Sequence, residues 1–224
     1  GTQSITGLDF QPDWCWLKAR AGANVSNHRS VDSVRSATKE LFQDATAAEE
    51  TNTNGLTAFN SNGFSLGSSG GTNNSNTTYA SWNWKAGTSF TNDASGTGIG
   101  TIDSTGSVNT DAGFSIISYT GTGSVATIAH GLGVTPKFYL IKNRTNARNW
   151  QSYHEPLGNQ AYLRLNTTAA AATGAAIWNN TSPTSSVFSI GTSDFNAVNA
   201  DGDNYIAYCF AEKQGYSKFG SYVG

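Results

Sequence analysis

Short apolar runs, separated by polar clusters that form turns, dominate the pattern of this chain. Runs of roughly four to eight β-branched and aromatic residues, bounded by Gly, Asn, Ser and Thr, are typical of strands joined by turns. The pattern therefore predicts an all-β fold. One stretch, 30–50, has a helix-compatible composition, but its Thr content and loose apolar spacing predict a turn or two of helix at most.

Two kinds of strand occur in this pattern. In 14–17 (WCWL) and 138–141 (FYLI) the apolar residues are consecutive, which indicates strands that are buried on both faces. In 80–84 and 206–210 the large residues alternate onto one face, which indicates a half-exposed sheet. The presence of both kinds predicts two packed sheets, as in a β-sandwich or jelly roll.

The sequence also resembles itself at an offset of about 124 residues. Segment 7–20 (GLDFQPDWCWLKAR) matches 131–144 (GLGVTPKFYLIKNR), with Gly-Leu, Pro, Lys and Arg in register. Further ordered matches, with small drifts in offset, pair 41–48 with 163–170, 63–67 with 187–191, and 79–84 with 205–210. The recurrence predicts a tandem duplication of one β-sandwich unit.

This duplication sets the predicted domain boundaries. We expect a first sandwich copy over 1–87, a Gly/Ser/Thr-rich linker over 88–111, and a second copy over 112–224. Part of the linker, near 99–108, is predicted to add an edge strand. One larger sandwich built from two halves is the alternative to two separate ones, and a copy of this length is enough for its own core.

The two ends of the chain suggest a further prediction. An apolar strand over 113–120 precedes the second copy, whereas the first copy begins only at the turn that follows such a strand. The C-terminal segment 215–224 (GYSKFGSYVG) resembles that strand again. Either the chain is a slice of a longer multi-repeat polypeptide, or its C-terminal strand fills the vacant edge of a first copy, in the same chain or in a neighbour.

Composition narrows the function classes. Charged residues make up 12% of the chain, against roughly 25% in ordinary domains, and 27 Thr, 26 Ser, 22 Asn and 25 Gly dominate instead. A formal net charge of −2 and the lack of a basic run argue against nucleic-acid binding. No apolar stretch approaches the ~18 residues that a membrane span needs, so membrane insertion is not expected.

Two site hypotheses follow from aromatic and acidic residues that lie in or next to stretches with the composition of turns. The aromatic residues Trp150, Tyr153 and Trp178, with Asn179 and the neighbouring amides of Asn149, Gln151 and Asn180, are candidates for a glycan-stacking platform. Asp201 and Asp203 in the DGDN loop are candidate calcium ligands, with a plain Asp-Gly turn as the alternative. No other cofactor is expected. Cys15 and Cys209 are predicted to be buried thiols, because two distant cysteines form no disulfide framework or zinc motif.

Strings such as ITGLDFQPDWCWLKAR, TTYASWNWKAG, YTGTGSVATIAHGLGVTPKFYLIKNR and YIAYCFAEKQGYSKFGSYVG resemble a domain of uncharacterised function. That domain recurs in structural and tail-fibre proteins of bacterial viruses, especially marine and cyanobacterial ones, and is similar to concanavalin A-like (laminin G-like) sandwiches. The resemblance covers essentially the whole chain. It implies a virion-borne or extracellular module, and it brings no established catalytic residues.

The same resemblance makes catalysis worth testing, because the concanavalin A-like class includes glucanases that use paired carboxylates. Their strand signature Glu-x-Asp-x-x-Glu occurs nowhere in the sequence, and no Gly-x-Ser-x-Gly elbow accompanies the three histidines. We therefore expect a non-enzymatic structural or adhesion module whose partners are other copies of itself or other structural subunits. A lectin-like module that binds cell-surface glycans is the first alternative, and a polysaccharide hydrolase is the second.

Overall fold

The computed structural model describes residues 1–22, 26–192 and 197–224, and this part of the chain is all-β. Its first strands are β1 (Gln3–Thr6), β2 (Trp14–Ala21), β3 (Arg29–Asp32), β4 (Lys39–Phe42), β5 (Glu50–Thr51), β6 (Leu56–Asn60), β7 (Gly63–Leu66), β8 (Thr78–Trp84) and β9 (Thr88–Asn92). The later strands are β10 (Ser104–Asn109), β11 (Phe114–Thr120), β12 (Ala126–Ala129), β13 (Phe138–Asn143), β14 (Gln151–His154), β15 (Ala161–Arg164), β16 (Ala172–Thr173), β17 (Val187–Ile190) and β18 (Asn204–Phe210).

In these three ranges helical structure is limited to single turns, α1 (Ala94–Thr97) and a 3-10 helix (Glu155–Leu157). Across the described ranges, no helix combines the length and apolar character needed to cross a membrane. The stretch 30–50, where a turn or two of helix was the upper limit expected, contains β3, β4 and the turns between them.

The strands of the described residues pair into antiparallel sheets of different sizes. The five-stranded sheet has the order β5-β4-β3-β2-β8, and the eight-stranded sheet has the order β16-β15-β14-β13-β18-β11-β10-β9. A three-stranded sheet, β1-β7-β6, and a two-stranded sheet, β12-β17, complete the set. The predicted all-β class is therefore confirmed.

The five-stranded sheet is covered on both faces, because successive side chains of a strand point to opposite sides. Cys15 and Leu17 of β2 pack with Phe64 and other apolar side chains of the three-stranded sheet. Trp14 points to the opposite face of β2 and packs instead with Tyr208 and other residues of the eight-stranded sheet. This confirms the prediction that consecutive apolar residues in this strand are buried on both faces.

The eight-stranded sheet is covered in the same way. Tyr139 and Ile141 of β13 pack with Phe188 and other apolar residues of the two-stranded sheet, whereas Leu140 points toward the five-stranded sheet. The layers therefore follow the order three-stranded, five-stranded, eight-stranded and two-stranded sheet. Cys15 and Cys209 are buried and free, as expected, and burial raises the pKa of both thiols above the ordinary value.

The segment 88–111, predicted as a linker with one edge strand, is part of the eight-stranded sheet. It contributes both β9 and β10, and β10 pairs along its length with β11. Between these strands the Asp93 side chain caps α1 by accepting a hydrogen bond from the Gly96 N–H at 3.0 Å. The linker interpretation is corrected here: alternate apolar positions such as Phe90 and Val108 pack against the core, despite the surrounding Gly, Ser and Thr.

Strands β2 and β13 have matching neighbours. Trp14 lies opposite Asp32 of β3 and Trp84 of β8, and Phe138 lies opposite His154 of β14 and Phe210 of β18. β11 lies on the other side of β18, and the two strands pair along their whole length. Phe114 lies opposite Phe210 at one end, and Thr120 lies opposite Asn204 at the other. Beyond β8 there is no further strand among the described residues.

Candidate functional site

A buried polar network joins the five-stranded and eight-stranded sheets. The Arg35 Nε donates to Asp32 Oδ2 at 2.5 Å, and the Tyr208 hydroxyl donates to the same carboxylate oxygen at 2.6 Å. Arg35 also reaches Tyr208 Oη at 3.3 Å and Glu49 Oε2 at 3.2 Å. Arg144, which follows β13, closes the network with donations to both Glu49 oxygens at 2.8 and 3.1 Å.

Local chain geometry places this network. Asp32 ends β3, and its Oδ1 accepts the Arg35 N–H at 2.9 Å, which forms a turn that folds the guanidinium back over the strand. On the facing sheet, Tyr208 alternates with Ala207 and Cys209 and so points toward the five-stranded sheet. One polar cluster thus has members from two separate sheets.

The charges in this network stabilise one another. Burial alone would lower the pKa of the Arg35 guanidinium, but the charges of Asp32 and Glu49 raise that pKa above the ordinary value. Burial likewise opposes ionisation of Glu49, yet the hydrogen bond from Arg144 and the charge of Arg35 lower the pKa of its carboxyl. Burial, with the Asp32 charge, raises the pKa of the Tyr208 hydroxyl. The cluster therefore holds fixed charges and a neutral phenol at neutral pH, which suits a structural connection.

Lys142 is a second buried cation between the sheets. Its ammonium donates to the backbone carbonyls of Thr46 at 3.1 Å and Asn143 at 2.9 Å, and its side chain is fully buried. Burial, together with the charge of Arg148, lowers the pKa of this amine to about 7. Lys18 occupies the matching position on β2, but it is half-exposed and donates to the Ser26 carbonyl at 2.6 Å.

The structure places the three aromatic residues predicted to bind glycans in the core, which corrects the prediction of an exposed platform. Trp150 is fully buried and its Nε1 donates to the Phe42 carbonyl at 2.7 Å. Tyr153 stacks on Tyr139 with ring centroids 4.7 Å apart, and Trp178 donates to the Ala161 carbonyl at 3.0 Å. Burying these large apolar rings in the core stabilises the fold more than leaving them exposed beside loops, as the sequence predicted.

The amides of that prediction are dispersed. Asn179 and Asn180 are exposed in a turn at positive φ, Gln151 is buried, and Asn149 accepts a hydrogen bond from Asn166 Nδ2 at 2.8 Å. Asn179 is therefore exposed, but the ring next to it in sequence, Trp178, is buried. The two residues do not form the exposed stacking surface that the sequence predicted.

The candidate calcium ligands lie in the turn that precedes β18. Asp203 accepts from Asn143 Nδ2 at 2.8 Å and from Asn146 Nδ2 at 2.9 and 3.0 Å, whereas Asp201 is exposed beside Gly202, whose φ is +73°. Amide donors thus occupy the Asp203 carboxylate. In the described ranges no group of three or more His, Cys, Asp or Glu residues comes together.

An aromatic surface lies at the margin of the same pair of sheets. Trp14, Trp16 and Trp84, from the five-stranded sheet, line a cleft of about 480 Å³ together with Phe138, Phe210 and Phe219. Further out on the same face, Trp16 and Trp82 have ring centroids 5.9 Å apart, and Trp82 is 46% exposed. We call Trp16, Trp82 and the adjoining His28 and Lys18 the outer platform.

The outer platform combines aromatic rings with polar groups. Trp16 Nε1 donates to His28 Nδ1 at 2.9 Å, which orients the imidazole beside the indole. Burial lowers the pKa of His28, although the neighbouring Asp44 acts in the opposite direction. Sequence reasoning missed this surface as a site, but the alternation of large residues over 80–84 was the signal that could have located it.

Comparison with known proteins gives one match. The sequence profile described as "Domain of unknown function (DUF7483)" matches residues 1–224. No curated protein and no solved structure matches the chain.

Proposed function

The chain belongs to the DUF7483 family of domains of unknown function, and we propose that it is a non-enzymatic structural and adhesion module of an extracellular assembly. The observation that carries this proposal is the joining of the two large sheets by buried aromatic and ionic side chains. Trp14 stacks on Tyr208 at 4.2 Å, next to the ion pairs of Arg35. Such a junction resists relative movement of the sheets, which a force-bearing or spacing module requires.

Within this proposal the chain consists of two copies of one β-sandwich unit. The three-stranded sheet with the five-stranded sheet forms the first unit, and the two-stranded sheet with the eight-stranded sheet forms the second. Support comes from the sequence matches, which fall on strands with matching neighbours: β2 with β13, β7 with β17, and β8 with β18. The units share the junction described above, so the module behaves as one body.

Two carboxylates engaged in ion pairs support a structural role. Glu40 pairs with Arg29 and also accepts from Asn52 Nδ2 at 3.0 Å, and Glu49 pairs with Arg35 and Arg144. These side chains neutralise neighbouring cations rather than face a shared cleft. Following the resemblance to viral tail-fibre proteins, we propose a virion or other extracellular location, with partners that are further copies or other structural subunits.

Immunogold electron microscopy tests this role. Antibodies against the purified chain should label an external fibre or surface of particles from cells that carry the gene. Label confined to the cell interior would contradict the proposal. A biophysical companion is calorimetry: a module joined as described should unfold in one transition, with equal calorimetric and van't Hoff enthalpies, whereas two independent transitions would contradict the joined units.

A second candidate function is glycan binding at the outer platform. Exposed aromatic rings with polar groups at their margin are suited to stacking on the apolar face of a sugar ring, and Trp82 with His28 and Lys18 offers that combination. The test is a glycan array with the chain and with Trp82→Ala. Saturable binding that is lost in Trp82→Ala and kept in Tyr216→Ala, an exposed aromatic outside the platform, would support it. Binding unaffected by Trp82→Ala would exclude this surface.

A further inference from the structure

The outer edge of β8 is open, and the matching edge of β18 is not. β18 lies between β13 and β11, and its central residues are all buried. β8 pairs with β2 alone among the described strands, and Ser81 and Trp82 are exposed. The two strands also hold the same register to their inner neighbours, since Trp84 faces Trp14 as Phe210 faces Phe138.

An open edge of this kind is a template for another strand, because its outward N–H and C=O groups have no partner in the sheet. Natural edges are commonly protected by charged residues, proline or bulges. The β8 sequence TYASWNW contains no charged residue and no proline. Its central Trp82 is 46% exposed, whereas Tyr208, at the matching position, is fully buried. The edge strand therefore lacks the protection that charge or proline gives, and it is partly apolar.

We propose that this edge binds, by antiparallel strand addition, the C-terminal segment 218–224 of a second copy of the chain. The argument comes from the strand that covers β18. In β11 and the residue after it, Ser118-Tyr119-Thr120-Gly121 pairs along the first residues of β18, and the C-terminus carries Ser221-Tyr222-Val223-Gly224. This inference rests on the proposed structural role, and it assigns the outer edge of β8 as the surface through which copies would bind one another.

Transferring the β11–β18 register to β8 makes the proposal specific. Tyr119 faces Tyr205, so Tyr222 would face Tyr79 at the matching position of β8. The Tyr119 and Tyr205 rings stack at 5.1 Å, and the new pair would reproduce that contact. By the same register Gly220 lies opposite Ser81, and Phe219 lies opposite Trp82 and covers the exposed indole.

The C-terminal segment is available for this role. Tyr222 is 94% exposed and Val223 is 99% exposed, and no strand pairing involves 218–224. Within its own chain Ser217, just before the segment, bridges to Lys213, and Phe219, near the start of the segment, stacks on Phe138 at 5.8 Å. The chain's own segment is thus present but leaves the edge of β8 uncovered, which is why the occupant is assigned to a second copy. Docking exchanges the Phe138 contact of Phe219 for one with Trp82.

A contact between the edge of β8 and the tail of the next copy is head-to-tail. Such heterologous contacts produce rings if they close and open chains if they do not. Each copy contributes one β8 edge and one segment 218–224 to such a series. The proposal therefore predicts that the average size of the assembly increases with protein concentration and does not stop at a dimer.

Cross-linking of two single variants tests the register directly. Mixing Ser81→Cys with Gly220→Cys under mild oxidation should give a disulfide-linked heterodimer, because directly opposed residues in an antiparallel pair lie within disulfide reach. The native Cys15 and Cys209 are buried and do not compete. Mixing Ser81→Cys with Ser217→Cys, which is out of register, is the matched control. No heterodimer in the first mixture, or equal yields in both mixtures, would overturn the proposal.

Sedimentation analysis over a concentration series supplies a second test. Trp82→Lys and removal of 220–224 should each weaken self-association at least about tenfold, while Val125→Lys, at an exposed apolar position away from β8, should not. A synthetic peptide of residues 113–121 should compete with association, because it carries the β11 pattern. A chain that stays monomeric at high concentration overturns the second-copy assignment, even if the peptide binds.

These outcomes are separable from the proposed function. Loss of self-association leaves immunogold labelling and single-transition unfolding unchanged, since neither depends on the β8 edge. Glycan binding is separated by the tail deletion, which removes strand addition but leaves the outer platform intact.

Discussion

Strands β8 and β18 hold matching places beside β2 and β13, yet their surroundings differ. β18 has a neighbour on each side and a packed layer on each face, and Tyr208 at its centre lies in the polar network with Asp32. Among the strands that the structure describes β8 has one neighbour, and Trp82 at the matching position is partly exposed to solvent. Whether an aromatic residue is buried in this fold therefore depends on the next strand and on the facing sheet. The alternation pattern of its own strand does not decide it.

The largest expected difference between the strands is in the free energy of unfolding. Tyr208→Ala should cost about 3–5 kcal/mol, because it leaves a cavity against Trp14 and removes a hydrogen bond to buried Asp32. Trp82→Ala should cost less than about 1 kcal/mol, because its ring is partly in water already. Urea denaturation at neutral pH measures both. Equal losses would show that β8 is packed as firmly as β18.

The next effect concerns the charges that join the sheets. Arg35→Met should lower the free energy of unfolding by about 3 kcal/mol or more, because it leaves the Asp32 and Glu49 carboxylates without their buried partner. The control is Lys137→Met, which breaks the exposed pair with Glu155 and should cost at most about 1 kcal/mol. A similar, small loss for both variants would mean that the network does not hold the sheets together.

A pH series distinguishes the two matching lysines. Because the pKa of Lys142 is lowered to about 7, the folded protein binds fewer protons than the unfolded chain between that pH and the ordinary lysine range. Its contribution to stability is therefore least favourable below pH 7 and improves as pH rises toward about 10. Lys142→Met should remove this gain, up to about 1.4 kcal/mol per pH unit in the slope of the unfolding free energy.

Lys18→Met is the matched variant for that series. It removes a lysine from the matching position of β2, where the side chain is only partly buried and donates to the Ser26 carbonyl. Urea titrations from pH 7 to pH 10 on both variants and the parent chain measure the difference. If the unfolding free energy of Lys142→Met depended on pH as steeply as that of the parent chain, the pKa of the buried Lys142 amine would not be lowered.

The smallest effect tests the similarity of β11 and the C-terminal segment. Tyr119→Phe removes a donation to the Val198 carbonyl at 2.8 Å and should cost about 1 kcal/mol. Tyr222→Phe should leave the stability of the monomer unchanged, because the ring is exposed. Thermal unfolding at low protein concentration checks both variants. A loss in Tyr222→Phe as large as in Tyr119→Phe would mean that the tail is already docked in the monomer.

Part of this architecture could be predicted from the sequence. The all-β class and the double-sided burial of β2 and β13 follow from residue periodicity, because a strand with consecutive apolar residues must be covered on both faces. The strands in 88–111 were harder to predict, since β9 and β10 contain mostly Ser, Thr and Asn. They are stabilised by sheet pairing, β10 with β11 and β9 with β10.

The candidate site was less accessible to sequence reasoning. Asp32, Arg35 and Glu49 have the composition of surface loops, and only the packing of two sheets brings them together with Tyr208. Conversely, Trp150 and Trp178 lie in loop-like sequence, but backbone carbonyls of Phe42 and Ala161 satisfy their indole N–H groups in the core. Side chains whose polar atoms find partners in distant segments cannot be assigned to surface or core from local pattern alone.

Hydrogen–deuterium exchange at two protein concentrations tests the central claim, that β8 is an open edge which accepts a strand. At low concentration the amides of β8 should exchange faster than those of β18, since none of the described strands covers their outer side in the monomer. At high concentration β8 should gain protection while β18 stays unchanged. If β8 is as protected as β18 in the monomer, or gains nothing as the concentration rises, the account of the open edge is wrong.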